Sequence, residues 1–126
     1  MTNNTLIYSD LQEYSDDEIQ LVLNSGSECA IVEAVLSTGL NHSNINFVLN
    51  TINICYKNSN ANIRGAAILA LAHASRLHDN IPEKEAIDLL SNALIDNSEY
   101  VRSQAKLAVQ DIEIFVPELY GKIKQN

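Results

Sequence analysis

The sequence predicts an all-α chain: a short right-handed superhelix of antiparallel helix pairs, about six to seven helices in one domain. Three observations predict it. Residues 62–72 recur 38 positions later as residues 100–110, with Ile63 on Val101, Arg64 on Arg102, Ala67 on Ala105, Leu69 on Leu107, Ala70 on Ala108 and Leu71 on Val109. A second helical pattern repeats at the same offset, with Val48, Leu49, Ile52, Cys55 and Tyr56 recurring as Ala86, Ile87, Leu90, Ala93 and Leu94. Strand signals are thin: residues 112–116 carry β-branched side chains, but the preceding helical period and Pro117 read as a helix end.

The elements follow in order. Ser9 with Gln12, and Ser15 with Glu18, have the spacing of capping boxes. They predict a short turn or helix at 9–14 and a helix at 16–24, broken at residues 24–27. Residues 28–38 form the next helix, with Ile31, Ala34, Val35 and Thr38 on one face and Gly39 as its end. Ser43 caps a helix at 44–57 whose core stripe is Ile45, Val48, Leu49, Ile52 and Tyr56. After the turn at 58–60, an Ala-rich helix runs from 61 or 62 to about 78. Pro82 sits at the first position of the helix at 83–96, where its missing N–H is harmless. Residues 97 and 98 start the last long helix, at 99–115. One domain thus spans 1–126, with a degenerate first unit at 16–40, clearer repeats at 44–78 and 83–115, and a C-terminal cap at 117–126.

The motif Val101-Arg102 with Ala105 and Leu107-Ala108, placed after Asp96-Asn97-Ser98, resembles the HEAT repeat; so does Ile63-Arg64 with Ala67 and Leu71. The resemblance implies antiparallel helix pairs joined by a ladder of loop Asp and helix Arg. Asp96 and Arg102 fit that role. Arg64 fits as well, although its own turn offers Asn rather than Asp, and Glu28 replaces the Arg in the first unit. Among the proteins of this kind are scaffolds, adaptors and small bacterial immunity proteins.

Composition narrows the function. The 126 residues carry a net charge of −8 and 46% hydrophobic residues, enough for a core without metal or disulfide. Residues 1–56 hold seven acids and no Lys or Arg, and residues 57–126 hold nine acids and all eight bases. That field disfavours phosphate binding, which rests on Lys and Arg replacing counterions, and favours a basic protein partner. No apolar run is long enough to span a membrane, and the N-terminus lacks the basic and apolar stretches of a secretory signal. The expected location is cytoplasmic. Cys29 and Cys55 are expected as reduced core residues.

No residues assemble a recognisable catalytic, cofactor or metal motif. His42, His73 and His78 lack a completing ligand set and read as surface or capping residues. Asp16 and Asp17 suit a helix start better than acid–base work. The glycines at 26, 39, 65 and 121 form no phosphate loop. Arg64 and Arg102 stand at matched positions and read as structural.

The outward stripe of the helices at 44–57 and 83–96 is the best interaction candidate. Phe47, Asn50 and Ile54 correspond at the 38-residue offset to Glu85, Asp88 and Asn92, and would line the concave surface of a solenoid. With the acids Asp10, Glu13, Asp16, Asp17 and Glu18 they make up the expected partner-binding set. The expected function is non-catalytic protein binding, as an immunity protein occluding a basic, nuclease-type toxin domain, with no cofactor, membrane, nucleic acid or small-molecule substrate. The alternative is a HEAT-like adaptor or assembly factor that seats a peptide or helix in its groove. Leu71→Asp and Leu90→Asp should each abolish cooperative thermal unfolding by burying an unpaired charge; a cooperative melt in either variant would refute the core assignment.

Overall fold

The computed structural model describes residues 14–78 and 80–115, with side chains to residue 112. They form six α-helices: α1 (Asp16–Ser25), α2 (Glu28–Asn41), α3 (Ile45–Tyr56), α4 (Ala61–Leu77), α5 (Glu83–Leu94) and α6 (Glu99–Phe115). No strand occurs among the described residues. No helix among them is long and apolar enough to cross a membrane. The short helix expected at 9–14 and the cap at 117–126 lie outside the described residues.

α1 to α4 each start where a side chain satisfies free N–H groups. Ser15 and Glu18 form the full capping box on α1, with Ser15 N to Glu18 Oε1 at 2.8 Å and Glu18 N to Ser15 Oγ at 3.2 Å. Ser27 caps α2, Asn44 caps α3 and Asn60 caps α4. The cap of α3 is therefore Asn44 and not Ser43. The amide oxygen of Asn44 reaches the N–H groups of both Asn46 and Phe47. Pro82 stands one place before the first turn of α5, as its N-cap.

The helices pack as pairs. α1 packs on α2, α3 on α4 and α5 on α6, while α2, α4 and α6 lie side by side as one row and α3 touches α5 in the other. α4 is the hub, in contact with α2, α3, α5 and α6. Ala66, Ala67, Ala70, Ala72 and Ala74 are all buried, with Ile63, Ile68 and Leu71 filling the spaces between neighbours. Ile31, Ala34, Val35 and Thr38 are buried as expected, as are Ile45, Val48, Leu49 and Ile52, while Tyr56, expected in the same stripe, is half-buried. On α5 the buried set is Ala86, Leu89, Leu90 and Ala93, so Leu89 joins the core while Ile87 and Leu94 are half-buried.

Gly39 does not end α2, which continues to Asn41. Its role is spacing. A Cβ built on Gly39 would stand 2.6 Å from the Ala70 carbonyl oxygen and 3.0 Å from the Ala70 Cα, so the two helices meet backbone to backbone here. The helix ends instead at His42, whose N–H donates to the Thr38 carbonyl at 3.1 Å.

The last helix differs from its repeat mate on one side. Gly65, Ile68 and Ala72 are buried in α4; their counterparts on α6 at the 38-residue offset are Ser103, Lys106 and Gln110, all exposed. Positions that are small or apolar and buried on α4 are thus polar and exposed on α6.

Gly39→Ala should lower stability by about 1–3 kcal/mol, because backbone overlap outweighs the gain of about 1 kcal/mol in helix propensity. Gly65→Ala meets only the ring of Tyr100, which is 43% exposed and able to swing aside, and should cost less. Denaturant titration of both variants checks the order; equal losses would remove the special role of Gly39.

Candidate functional site

Arg64 and Arg102, expected as structural residues, are both committed to the frame. The Asp96 carboxylate bridges the second and third pairs. Its Oδ1 accepts from Arg64 Nη2 at 2.9 Å and from the Ser98 N–H at 2.9 Å; its Oδ2 accepts from Arg64 Nε at 3.1 Å and from the Tyr56 hydroxyl at 2.8 Å. The side chains of Arg64 and Asp96 are only 13% and 8% exposed. The Arg64 guanidinium holds Asp96 down to about 2. Burial, then the bond to Asp96, pushes the Tyr56 hydroxyl up to about 12.

Arg64 also donates to the Asn58 and Ser59 carbonyls, and Arg102 donates to the Asp96 carbonyl at 2.7 Å. Each Arg thus clamps the loop six residues before it, and Arg64 alone among the pair holds the Asp96 carboxylate. The expected pairing of Arg102 with that carboxylate is corrected: Arg102 takes the backbone oxygen, because Arg64 reaches across from the preceding pair.

The first pair uses the opposite charge for the same purpose. Glu28, at the Arg64 position, accepts from Asn60 Nδ2 at 2.7 Å and Asn62 Nδ2 at 2.8 Å. These amides hold the Glu28 carboxyl below its ordinary range. The sequence signal was the Glu itself, standing where the other repeats have Arg.

The expected partner-binding residues fall into two groups. Asp16, Asp17 and Glu18 form the exposed first turn of α1. Asp10 and Glu13 lie outside the described residues. Phe47, Asn50 and Ile54 follow one face of α3, with Phe47 half-buried and Asn50 and Ile54 exposed; Glu85, Asp88 and Asn92 are exposed on α5. Asp88 accepts from Lys84 at 2.8 Å, which offsets part of the acidic stripe.

His42 joins the two groups, and sequence reasoning missed it. The Asn44 N–H donates to His42 Nδ1 at 3.0 Å, so the ring proton sits on Nε2 and points to Asp16 Oδ1 at 2.7 Å. The ring stacks on Phe47 with centroids 4.5 Å apart and planes 18° apart. His42 and His78 cap the C-termini of α2 and α4, as capping histidines were expected to do, and His78 Nε2 donates to the His42 carbonyl at 3.1 Å. Asp16 and Phe47, far apart in sequence, thereby share one corner of the molecule.

Two expectations are corrected. His73 is neither a surface nor a capping residue: it is buried, its Nδ1 accepts from Arg76, and burial with the Arg76 charge lowers its pKa. Cys55 is a core residue whose thiol is pushed up to about 12 by burial, but Cys29 is exposed. Cys29 falls on the outer edge of α2, away from the Ile31–Val35 stripe. Among the described residues, no three His, Cys, Asp or Glu side chains gather as a metal site.

No protein-family model matches the sequence, and no curated protein matches it. The fold is similar to that of a chain in the crystal structure of a CDI complex from Cupriavidus taiwanensis LMG 19424, with a TM-score of 0.78 and 23% identity. The match covers 89% of this chain and 99% of that one. At this identity the likeness establishes the shared helical fold.

Because Asp96 is held near 2 against an ordinary 3.8, its stabilisation is complete above about pH 4 and is lost as pH falls toward about pH 2. Asp96→Asn should cost about 2–3 kcal/mol at neutral pH, since it also leaves the Arg64 charge poorly compensated. The difference between wild type and variant should shrink through that acid window in urea titrations. A difference constant with pH would show that the carboxylate charge does not carry the junction.

Proposed function

We propose that this chain is the immunity member of a contact-dependent inhibition pair: a non-catalytic protein that binds a basic, nuclease-type toxin domain in the cytoplasm and occludes it. The observation that carries the reading is the likeness, over nearly all of the neighbour's length, to a chain of a CDI complex. The net charge of −8 supports the immunity role over the toxin role, because a domain that grips nucleic acid needs the opposite sign.

The binding surface in this reading is the corner built around His42. Asp16, Asp17 and Glu18 steer a basic partner toward it. Phe47, packed under the His42 ring, and the exposed Ile54 supply apolar contact, and Asn50, Glu85, Asp88 and Asn92 extend the stripe along α3 and α5. At the other end of α3, Tyr56, Asp96 and Arg64 tie that helix to α4 and to the loop before α6, so α3 is positioned before the partner arrives, which lowers the entropic cost of binding.

Affinity capture from the native host at low and moderate salt, followed by mass spectrometry, should return a basic toxin domain, and adding this chain should suppress that domain's activity. A neutral partner whose activity is unaffected would overturn the reading. With the partner in hand, reversing Asp16, Asp17 and Glu18 to Lys should slow association about tenfold or more at low salt, with the far-UV helical signal unchanged. An unchanged on-rate would remove α1 from the interface.

A further inference from the structure

A recess of about 400 Å³ opens on the opposite row of helices, between α2, α4 and the start of α6. Cys29, Val32 and Leu36 of α2 give it an apolar wall, and Tyr100 of α6 closes the far side. The glycine at 65 lets the Tyr100 ring lie close over α4: a Cβ there would stand 2.3 Å from its Cε2. Glu28, Glu33 and Asn62 complete its lining, with no Lys or Arg among the described residues there.

One of the two carboxylates, Glu28, is held in place. Each Glu28 oxygen accepts one amide bond, from Asn60 or Asn62, and keeps a further lone pair. Tyr14 lies near Glu33: burial first, then the Glu33 carboxylate, pushes the Tyr14 hydroxyl above its ordinary range. An apolar wall, an aromatic ring and two carboxylates in the lining are the complement of one particular side chain: a long aliphatic stem that ends in a planar cation.

We propose that this recess is a binding pocket for an arginine side chain of a basic polypeptide partner. Val32 and Leu36 pack the methylene stem, the Tyr100 ring takes the guanidinium on its face, and Glu28 and Glu33 accept its N–H groups. None of the pocket residues belongs to the surface around His42 and α3. The chain therefore offers a second contact, on another face, and the pocket stands whether or not the partner is a toxin.

The test uses short capped peptides, Ala-rich with one central arginine, and their counterparts with citrulline or norleucine at that place. Two-dimensional NMR of the full chain at millimolar peptide should show saturable shifts of the Cys29, Val32, Leu36 and Gly65 amides with the arginine peptide. Citrulline, which keeps the shape and loses the charge, should bind at least about fivefold more weakly. Glu33→Gln and Tyr100→Phe should separate the contributions: the first weakens arginine binding about threefold or more, and the second keeps it, since the ring face remains. Both are surface changes, and circular dichroism confirms that each variant is folded. Equal binding of norleucine and arginine would overturn the assignment in favour of a purely apolar groove, and shifts absent from all three peptides would overturn it outright.

Discussion

The backbone contact between α2 and α4 is the constraint on which the rest of the structure depends. A helix touched by four others can keep only small side chains where the axes come closest. α4 meets this with Gly65 and five buried alanines, and α2 contributes Gly39 against Ala70. Small residues at the contacts let Ile68 and Leu71 fill the remaining space completely. Close packing at this density makes even one added methylene costly, and it fixes where α3 and α5 can lie.

Polar junctions then set the pairs against one another. Asp96 ties the α5–α6 loop to α3 through Tyr56 and to α4 through Arg64. Glu28 ties α2 to the start of α4 through two asparagine amides. A buried carboxylate with several donors stays charged and well compensated, whereas the same group alone would be expensive. Asp96 and Glu28 thus serve to fix geometry between the pairs.

Much of this was legible in the sequence because it is periodic. Ile63 with Val101, and Val48 with Ala86, recur at 38 residues, and burial follows that period. What escaped was tertiary. Gly39 has the sequence look of a helix end, yet its purpose is set by Ala70, a residue 31 positions away. His73 lies in an Ala-rich run that says nothing of whether a neighbour covers it. Cys29 and Cys55 have similar surroundings in sequence and opposite exposure. The helix start that places the acids of α1 in solvent was legible, but not the histidine that links Asp16 to Phe47, since a capping role and a bridging role look alike in one dimension. The recess beneath Tyr100 draws on three helices and on the absence of a side chain at Gly65, and no local pattern announces it.

The reversal of charge between Glu28 and Arg64 bears on how such a chain finds its own register. Similar repeats invite slippage, in which one pair docks on the neighbour intended for another. Here a slip that set α2 against the α5–α6 loop would bring Glu28 toward Asp96, two carboxylates where the native junction has opposite charges. A slip that moved α4 away from the α5–α6 loop would deny Arg64 its carboxylate. Each junction reads the identity of the unit beside it, so units alike enough to stack remain different enough to be told apart during folding.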